Sequence, residues 1–223
     1  VIVVLADCEP RELRESVGTN RARLHGSHLV IRSGKTDRVS DLSMVRVREA
    51  RAVIVVADDD AENDTDVVKA VLAVGSAAGG FDRMPIVAEL REVAMAERLA
   101  RACGESVHPI VTTVTIARLT SFMLRDPGMS KVVDELMDAR GCGIDLIDAS
   151  DVVGVPFGEI VRRFHGLRPI GLIGDDGAVR LNPAARSIPE SGDRLVTIRD
   201  HEAPPTTATA PFADEVQPQR AQV

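Results

Sequence analysis

The first half of the chain alternates short apolar runs with longer stretches in which apolar residues recur every three or four positions. Runs rich in Val and Ile predict β-strands, and the three-to-four spacing predicts amphipathic helices. The predicted strands are Val1–Ala6, His28–Arg32, Ala52–Ala57, Pro85–Leu90 and Val107–Val111. The predicted helices span residues 9–17, 39–47, 64–77 and 93–103. This alternation indicates a mostly parallel sheet with right-handed crossovers.

The second half of the chain has a different pattern. Two helices, Thr115–Leu124 and Ser130–Ala139, are predicted on either side of a helix-breaking Asp-Pro-Gly sequence. Shorter elements separated by turn residues follow from Gly141 onward. They are the strands Gly143–Asp148, Pro169–Ile173, Ala178–Leu181 and Arg194–Ile198, and a short helix between Val155 and Phe164. We therefore expect a small β-rich lobe of the α+β type after the α/β lobe.

These patterns predict four consecutive regions. Residues 1–113 form the α/β lobe, residues 114–140 a helical connector, and residues 141–200 the β-rich lobe. Residues 201–223 are rich in Pro, Thr and Ala and lack a hydrophobic pattern, so we expect them to be disordered. The chain starts with Val rather than Met, inside a strand-like run, and from this we expect that it starts within a domain.

Composition excludes several classes of function. The net charge of -7 disfavours binding to nucleic acid, and an aromatic content of 2% disfavours base stacking. The three cysteines lack the CxxC spacing of a zinc ribbon. The apolar runs are too short to span a membrane. The sequence has neither a nucleophile elbow nor a P-loop, so we do not expect an enzyme.

Several short segments of both lobes resemble one known family. They are VIVVLAD (1–7), IRSG (31–34), Asp41-Leu42, ARAVIVVADDD (50–60), DPGM (126–129), GVPFGE (154–159), PIGL (169–172), LNP (181–183) and GDRLV (192–196). Their order and spacing resemble the RCK region (regulator of K⁺ conductance) of CASTOR/POLLUX ion channels. The resemblance extends to about residue 200.

This resemblance implies a Rossmann-like fold and a role as the cytoplasmic regulatory part of a cation channel. In this family, RCK units assemble into a tetrameric gating ring beneath a pore, and the pore-forming segment is absent from this chain. The resemblance also implies a location at the cytoplasmic face of a membrane and suggests Ca²⁺ as a regulator. The alternative is a nucleotide-binding regulator or an NAD-dependent oxidoreductase on a Rossmann-like fold.

The resemblance further implies that the first strand of the fold is missing. RCK units begin with a strand, a Gly-rich turn and a helix, and none of the three precedes Val1 in this sequence. In the strand order 3-2-1-4-5-6 the first strand is central. It would lie between the strands Val1–Ala6 and Ala52–Ala57. We therefore expect these two strands to have unpaired edges, which favour aggregation or pairing with another chain.

Two groups of residues are candidates for binding. Asp7 ends the first strand, where an acidic residue of a dinucleotide fold holds a ribose hydroxyl, and Gly34 closes the second strand. A polar residue that caps the strand end is the favoured alternative for Asp7. The acidic stretch Asp58–Asp66 follows the third strand, and its oxygen ligands suit calcium. The candidate metal ligands are Asp58, Asp60, Glu62 and Asp64. Stabilisation of the following helix by acids near its positive end is the favoured alternative for this stretch.

Overall fold

The computed structural model describes residues 1–9, 11, 15, 27–58, 63–126, 128–138, 141–164 and 166–200. The chain divides into two compact units, Val1–Ser121 and Phe122–Val223. This division falls within the predicted connector, while the predicted domain bounds themselves stay a prediction. The predicted disordered tail 201–223 and most of the predicted helix 9–17 lie outside the described residues.

The first unit consists of parallel strands and the helices that connect them. Its strands are β1 (Ile2–Ala6), β2 (Leu29–Ser33), β3 (Val53–Val55), β4 (Ile86–Leu90) and β5 (Val107–Val111). Its helices are α1 (Val39–Met44), a 3₁₀-helix (Val47–Glu49), α2 (Thr65–Ala78), α3 (Val93–Cys103) and most of α4 (Thr112–Leu124), whose last three residues belong to the second unit. The predicted bounds of α3 and β5 are confirmed.

All strand pairs of the first unit are parallel, and they form two separate sheets. β1 pairs with β2, and β4 lies between β3 and β5. Among the described residues, β1 and β3 are each paired along only one edge. This is the pairing that the order 3-2-1-4-5-6 gives when its first strand is left out. The mostly parallel α/β architecture predicted from the sequence is confirmed.

The core of the first unit lies between β4 and the helix α2. Ile86, Ala88 and Leu90 alternate along β4 and are fully buried. Val67, Val71 and Val74 recur along α2 at helical spacing and pack into the same cluster. Complete burial of a side chain such as Ile86 contributes about 2 kcal/mol. On the opposite face of the sheet Ile54 is 72% exposed, although parallel sheets are usually covered on both faces.

The second unit contains a four-stranded antiparallel sheet. Its strands are β6 (Cys142–Asp148), β7 (Leu167–Ile173), β8 (Val179–Leu181) and β9 (Arg194–Asp200), in the order β6-β9-β7-β8. Its helices are α5 (Met129–Met137), a 3₁₀-helix (Ser150–Val152) and α6 (Phe157–Arg163). A separate core forms around Phe157, Ile160, Leu172 and Leu195. The predicted β-rich α+β lobe is confirmed.

Two elements differ in length from their predictions. β3 covers only Val53–Val55 because three of its residues pair with β4. α4 begins at Thr112, three residues before the predicted start, immediately after β5 ends at Val111. No helix in the described part of the chain has the length and apolar character that a membrane crossing requires.

Candidate functional site

The carboxyl ends of the parallel strands carry most of the residues that the sequence singles out. In open α/β sheets, ligands bind at this edge. The relevant polar residues form two groups, one after β1 and β2 and the other after β3, β4 and β5. Each group is built from the loops that leave its own strands.

The turn after β2 is closed by hydrogen bonds among its own neighbours. The backbone N–H of Gly34 donates to the Ala6 carbonyl at 3.0 Å, and the N–H of Lys35 donates to Asp41 Oδ2 at 2.9 Å. The Ser40 hydroxyl also donates to the Asp41 carboxylate. These bonds from Lys35 and Ser40 favour the ionised form and lower the pKa of Asp41 below its usual value.

Gly34 is closely packed in this turn. A Cβ at Gly34 would lie 3.1 Å from Asp41 Oδ2 and 3.1 Å from Leu5 Cδ1. A larger residue would therefore require the side chains of Asp41 and Leu5 to shift by a few tenths of an ångström. This packing explains the glycine without a ligand, and the predicted cofactor contact at Gly34 stays a prediction.

Asp7 lies just beyond β1 and faces solvent. Its side chain is 70% exposed, and its Oδ2 is 4.0 Å from Lys35 Nζ. An ion pair of this length between exposed side chains contributes little to stability. The carboxylate is therefore accessible, as a ribose contact would require, but the predicted role of Asp7 in cofactor binding stays a prediction.

Asp64 is a buried anchor at the end of the acidic stretch. Its residue is only 2% exposed, and its two carboxylate oxygens accept the backbone N–H groups of Arg91 at 2.8 Å and Glu92 at 3.0 Å. Arg91 and Glu92 immediately precede α3, so a negative charge here also suits the positive end of that helix. Asp64 thus fixes the loop before α2 to the loop before α3.

The remaining candidate metal ligands are divided between the described and undescribed residues. The Asp58 carbonyl oxygen accepts a hydrogen bond from Arg91 Nη2 at 2.9 Å. Asp60 and Glu62 lie outside the described residues. Within the part of the chain that the structure describes, no three His, Cys, Asp or Glu side chains are grouped so that they could hold a metal ion. The predicted cation site stays a prediction.

Glu89 is a functional candidate that the sequence interpretation missed. It is partly buried in β4, its Oε2 accepts the backbone N–H of Ala57 at 3.3 Å, and its Oε1 accepts the Thr112 hydroxyl at 2.8 Å. A single carboxylate therefore connects the end of β3, the strand β4 and the first residue of α4. The available signal was a charged residue inside an apolar strand, since a partly buried charge requires hydrogen-bonding partners.

Comparisons with known proteins agree with the resemblance seen in the sequence. Residues 113–214 match the family described as Castor and Pollux, part of voltage-gated ion channel. The chain is 24% identical over 215 residues to the probable ion channel POLLUX of Oryza sativa subsp. japonica, and 25% identical over 215 residues to the probable ion channel CASTOR of that organism. Each alignment covers 95% of this chain, but only 22% and 24% of the respective relative.

The fold is also similar to a solved structure. The human SLO3 gating ring matches with a TM-score of 0.60 at 14% sequence identity, over 89% of this chain and 40% of that chain. At this identity the match concerns the fold alone. The sequence comparisons show that this chain is similar, along nearly its whole length, to part of the CASTOR and POLLUX ion channels.

Proposed function

We propose that this chain is the cytoplasmic regulatory region of a cation channel of the CASTOR/POLLUX type. The observation that carries the proposal is a similarity to these channels that includes both compact units and covers 95% of the chain. The chain spans less than a quarter of the length of these two relatives. A fraction of this size fits a region that regulates a pore formed by other parts of such a channel.

The proposed state of assembly is a homo-oligomer, with a tetrameric ring as the specific form. The helix α4 supports association with another copy, because none of its 13 residues is buried. Its apolar residues Ile116 and Leu124 are both exposed, Leu124 by 82%, and their spacing of eight positions places them on one side of the helix. A helix in a folded protein usually buries one apolar face, so this surface suits a contact with a second copy.

The proposed regulator is a calcium ion bound by the acidic stretch after β3. The candidates are Asp58, Asp60, Glu62 and Asp64, and of these Asp64 has both carboxylate oxygens engaged by backbone hydrogen bonds. Calcium binding to the folded state would raise the melting temperature as its concentration increases. The double variant Asp58→Asn/Asp60→Asn should abolish that increase. An equal increase in both proteins would exclude this stretch as the site.

A chimeric channel tests the proposed function. This chain replaces the matching region of rice POLLUX in one version, and a flexible linker of equal length replaces it in the control. We expect the open probability of the first version to vary with conditions and that of the linker version to stay constant, at equal surface expression. Equal open probability of the two versions under all conditions would overturn the proposal.

A further inference from the structure

Glu89 is shared between two elements that are distant in sequence. It accepts one hydrogen bond from Ala57, 32 positions before it, and one from Thr112, 23 positions after it. The bond to Thr112 measures 2.8 Å, whereas the bond to Ala57 measures 3.3 Å. Both lengths are compatible with hydrogen bonds, but the second is beyond the usual range for N–H···O. The carboxylate is therefore held more closely by Thr112 than by Ala57.

The Ala57 side of this arrangement belongs to the loop that carries the acidic stretch. Ala57 is followed at once by Asp58, whose carbonyl oxygen is bound by Arg91, and Asp64 anchors the far end of the loop. The loop is thus attached to the end of β4 at three places. A change in the loop would reach Glu89 through the N–H of Ala57.

The Thr112 side belongs to the start of α4. The backbone N–H groups of a first helical turn lack acceptors within the helix, and a carboxylate beside them is favourable. Since α4 buries none of its residues, packing holds this helix only weakly. The contact between Glu89 and Thr112 is therefore a tertiary hydrogen bond at the first residue of a weakly packed helix.

We propose that Glu89 is a positioning residue that couples Ala57, at the carboxyl end of β3, to the start of α4. Its Oε2 accepts from Ala57 and its Oε1 from Thr112, so a displacement of the Glu89 side chain alters both hydrogen bonds at once. α4 is continuous from Thr112 to Leu124, so a change at its first residue acts on one uninterrupted helix. The coupling itself does not depend on the proposed function. Only its use in regulating a channel rests on that proposal.

The coupling has a consequence that a purely local role lacks, because energetic coupling between two sites is reciprocal. If Thr112 is replaced by Val, the carboxylate is released from its closer partner and moves towards Ala57. The amide of Ala57 should then exchange more slowly with solvent. A residue that merely fixes the start of α4 would leave Ala57 unchanged.

The test is hydrogen exchange measured by NMR at single amides of this chain. In Thr112→Val we expect the amide of Ala57 to exchange about threefold more slowly. The amide of Ile116, which donates to the carbonyl of residue 112 in an α-helix, should exchange about threefold faster. A threefold change in rate is the size of a helix-dipole contribution. In Glu89→Gln both amides should exchange faster. The matched control is Thr113→Val at the next, exposed position of α4, which should leave Ala57 unchanged.

An Ala57 amide that exchanges at the original rate or faster in Thr112→Val would overturn the coupling. Thr112→Val suffices for this decision if Glu89→Gln fails to fold. The chimeric channel and this exchange measurement have independent outcomes. Loss of the coupling would leave the channel proposal intact, and an unregulated chimera would leave the coupling intact.

Discussion

The two parallel sheets of the first unit hold their carboxylates in different ways. At the end of β1 and β2, Asp41 bonds to Lys35 and Ser40, which are close to it in sequence. At the end of β3, β4 and β5, Asp64 and Glu89 bond to residues that are 23 to 32 positions away. The first arrangement shapes one turn, whereas the second joins several elements. Burial and partners, rather than the density of acidic residues, separate these roles.

The largest effect on stability is expected at Asp64. Replacing Asp64 by Ala removes the buried carboxylate that accepts the backbone N–H groups of Arg91 and Glu92. We expect this to lower the free energy of unfolding by about 3 kcal/mol, since a hydrogen bond to a charged group contributes about 1.5–3 kcal/mol. Urea denaturation measures this loss. Asp66, whose side chain is exposed and pairs with Lys69 at the surface, provides the matched control, and Asp66→Ala should cost less than about 0.5 kcal/mol. Similar losses in the two variants would contradict the role assigned to Asp64.

The next prediction concerns the pairing of the strands. β4 is paired on both edges, while β1 is paired with β2 alone among the described residues. Amides of β4 should therefore exchange with solvent about 100-fold more slowly than those of β1, because local opening of a strand paired on one edge breaks fewer contacts. Hydrogen exchange monitored by mass spectrometry gives this ratio. Equal protection of β1 and β4 would show that the free edge of β1 is covered.

The smallest effect is expected from the pH dependence of the turn at Asp41. The hydrogen bonds from Lys35 and Ser40 lower the pKa of Asp41 in the folded chain. Their stabilisation is present above the unfolded pKa of about 4 and disappears as the pH falls through the lower folded value. The wild type should therefore lose more stability than Asp41→Asn between about pH 5 and pH 2. Identical pH profiles in urea denaturation would refute this contribution.

The sequence predicted the fold better than the site, for identifiable reasons. The bounds of α3 and β5 follow from local periodicity, which is visible in a single sequence. At the early start of α4, Thr112 bonds to Glu89, a contact between distant positions. Local spacing could not reveal this contact, since a Thr at a strand end is also typical of a loop.

The acidic stretch illustrates the same limit within the candidate site. Asp58 and Asp64 look alike in the sequence, as neighbouring acids between a strand and a helix. The structure separates them, because Asp64 is buried and binds two backbone N–H groups that precede α3. Those donors become neighbours of Asp64 only when β3 and β4 pair, so the role of Asp64 follows from the tertiary fold.

The central claim is that the end of β3, β4 and β5 carries the regulation of the proposed channel. The most direct test is the open probability of the chimeric rice POLLUX channel with Glu89→Gln in this chain, compared with Asp41→Asn at the other sheet. We predict that Glu89→Gln changes the open probability about threefold, as loss of a helix-dipole contribution would, and that Asp41→Asn leaves it unchanged. An unchanged open probability with Glu89→Gln, or an equal change with Asp41→Asn, would contradict the claim.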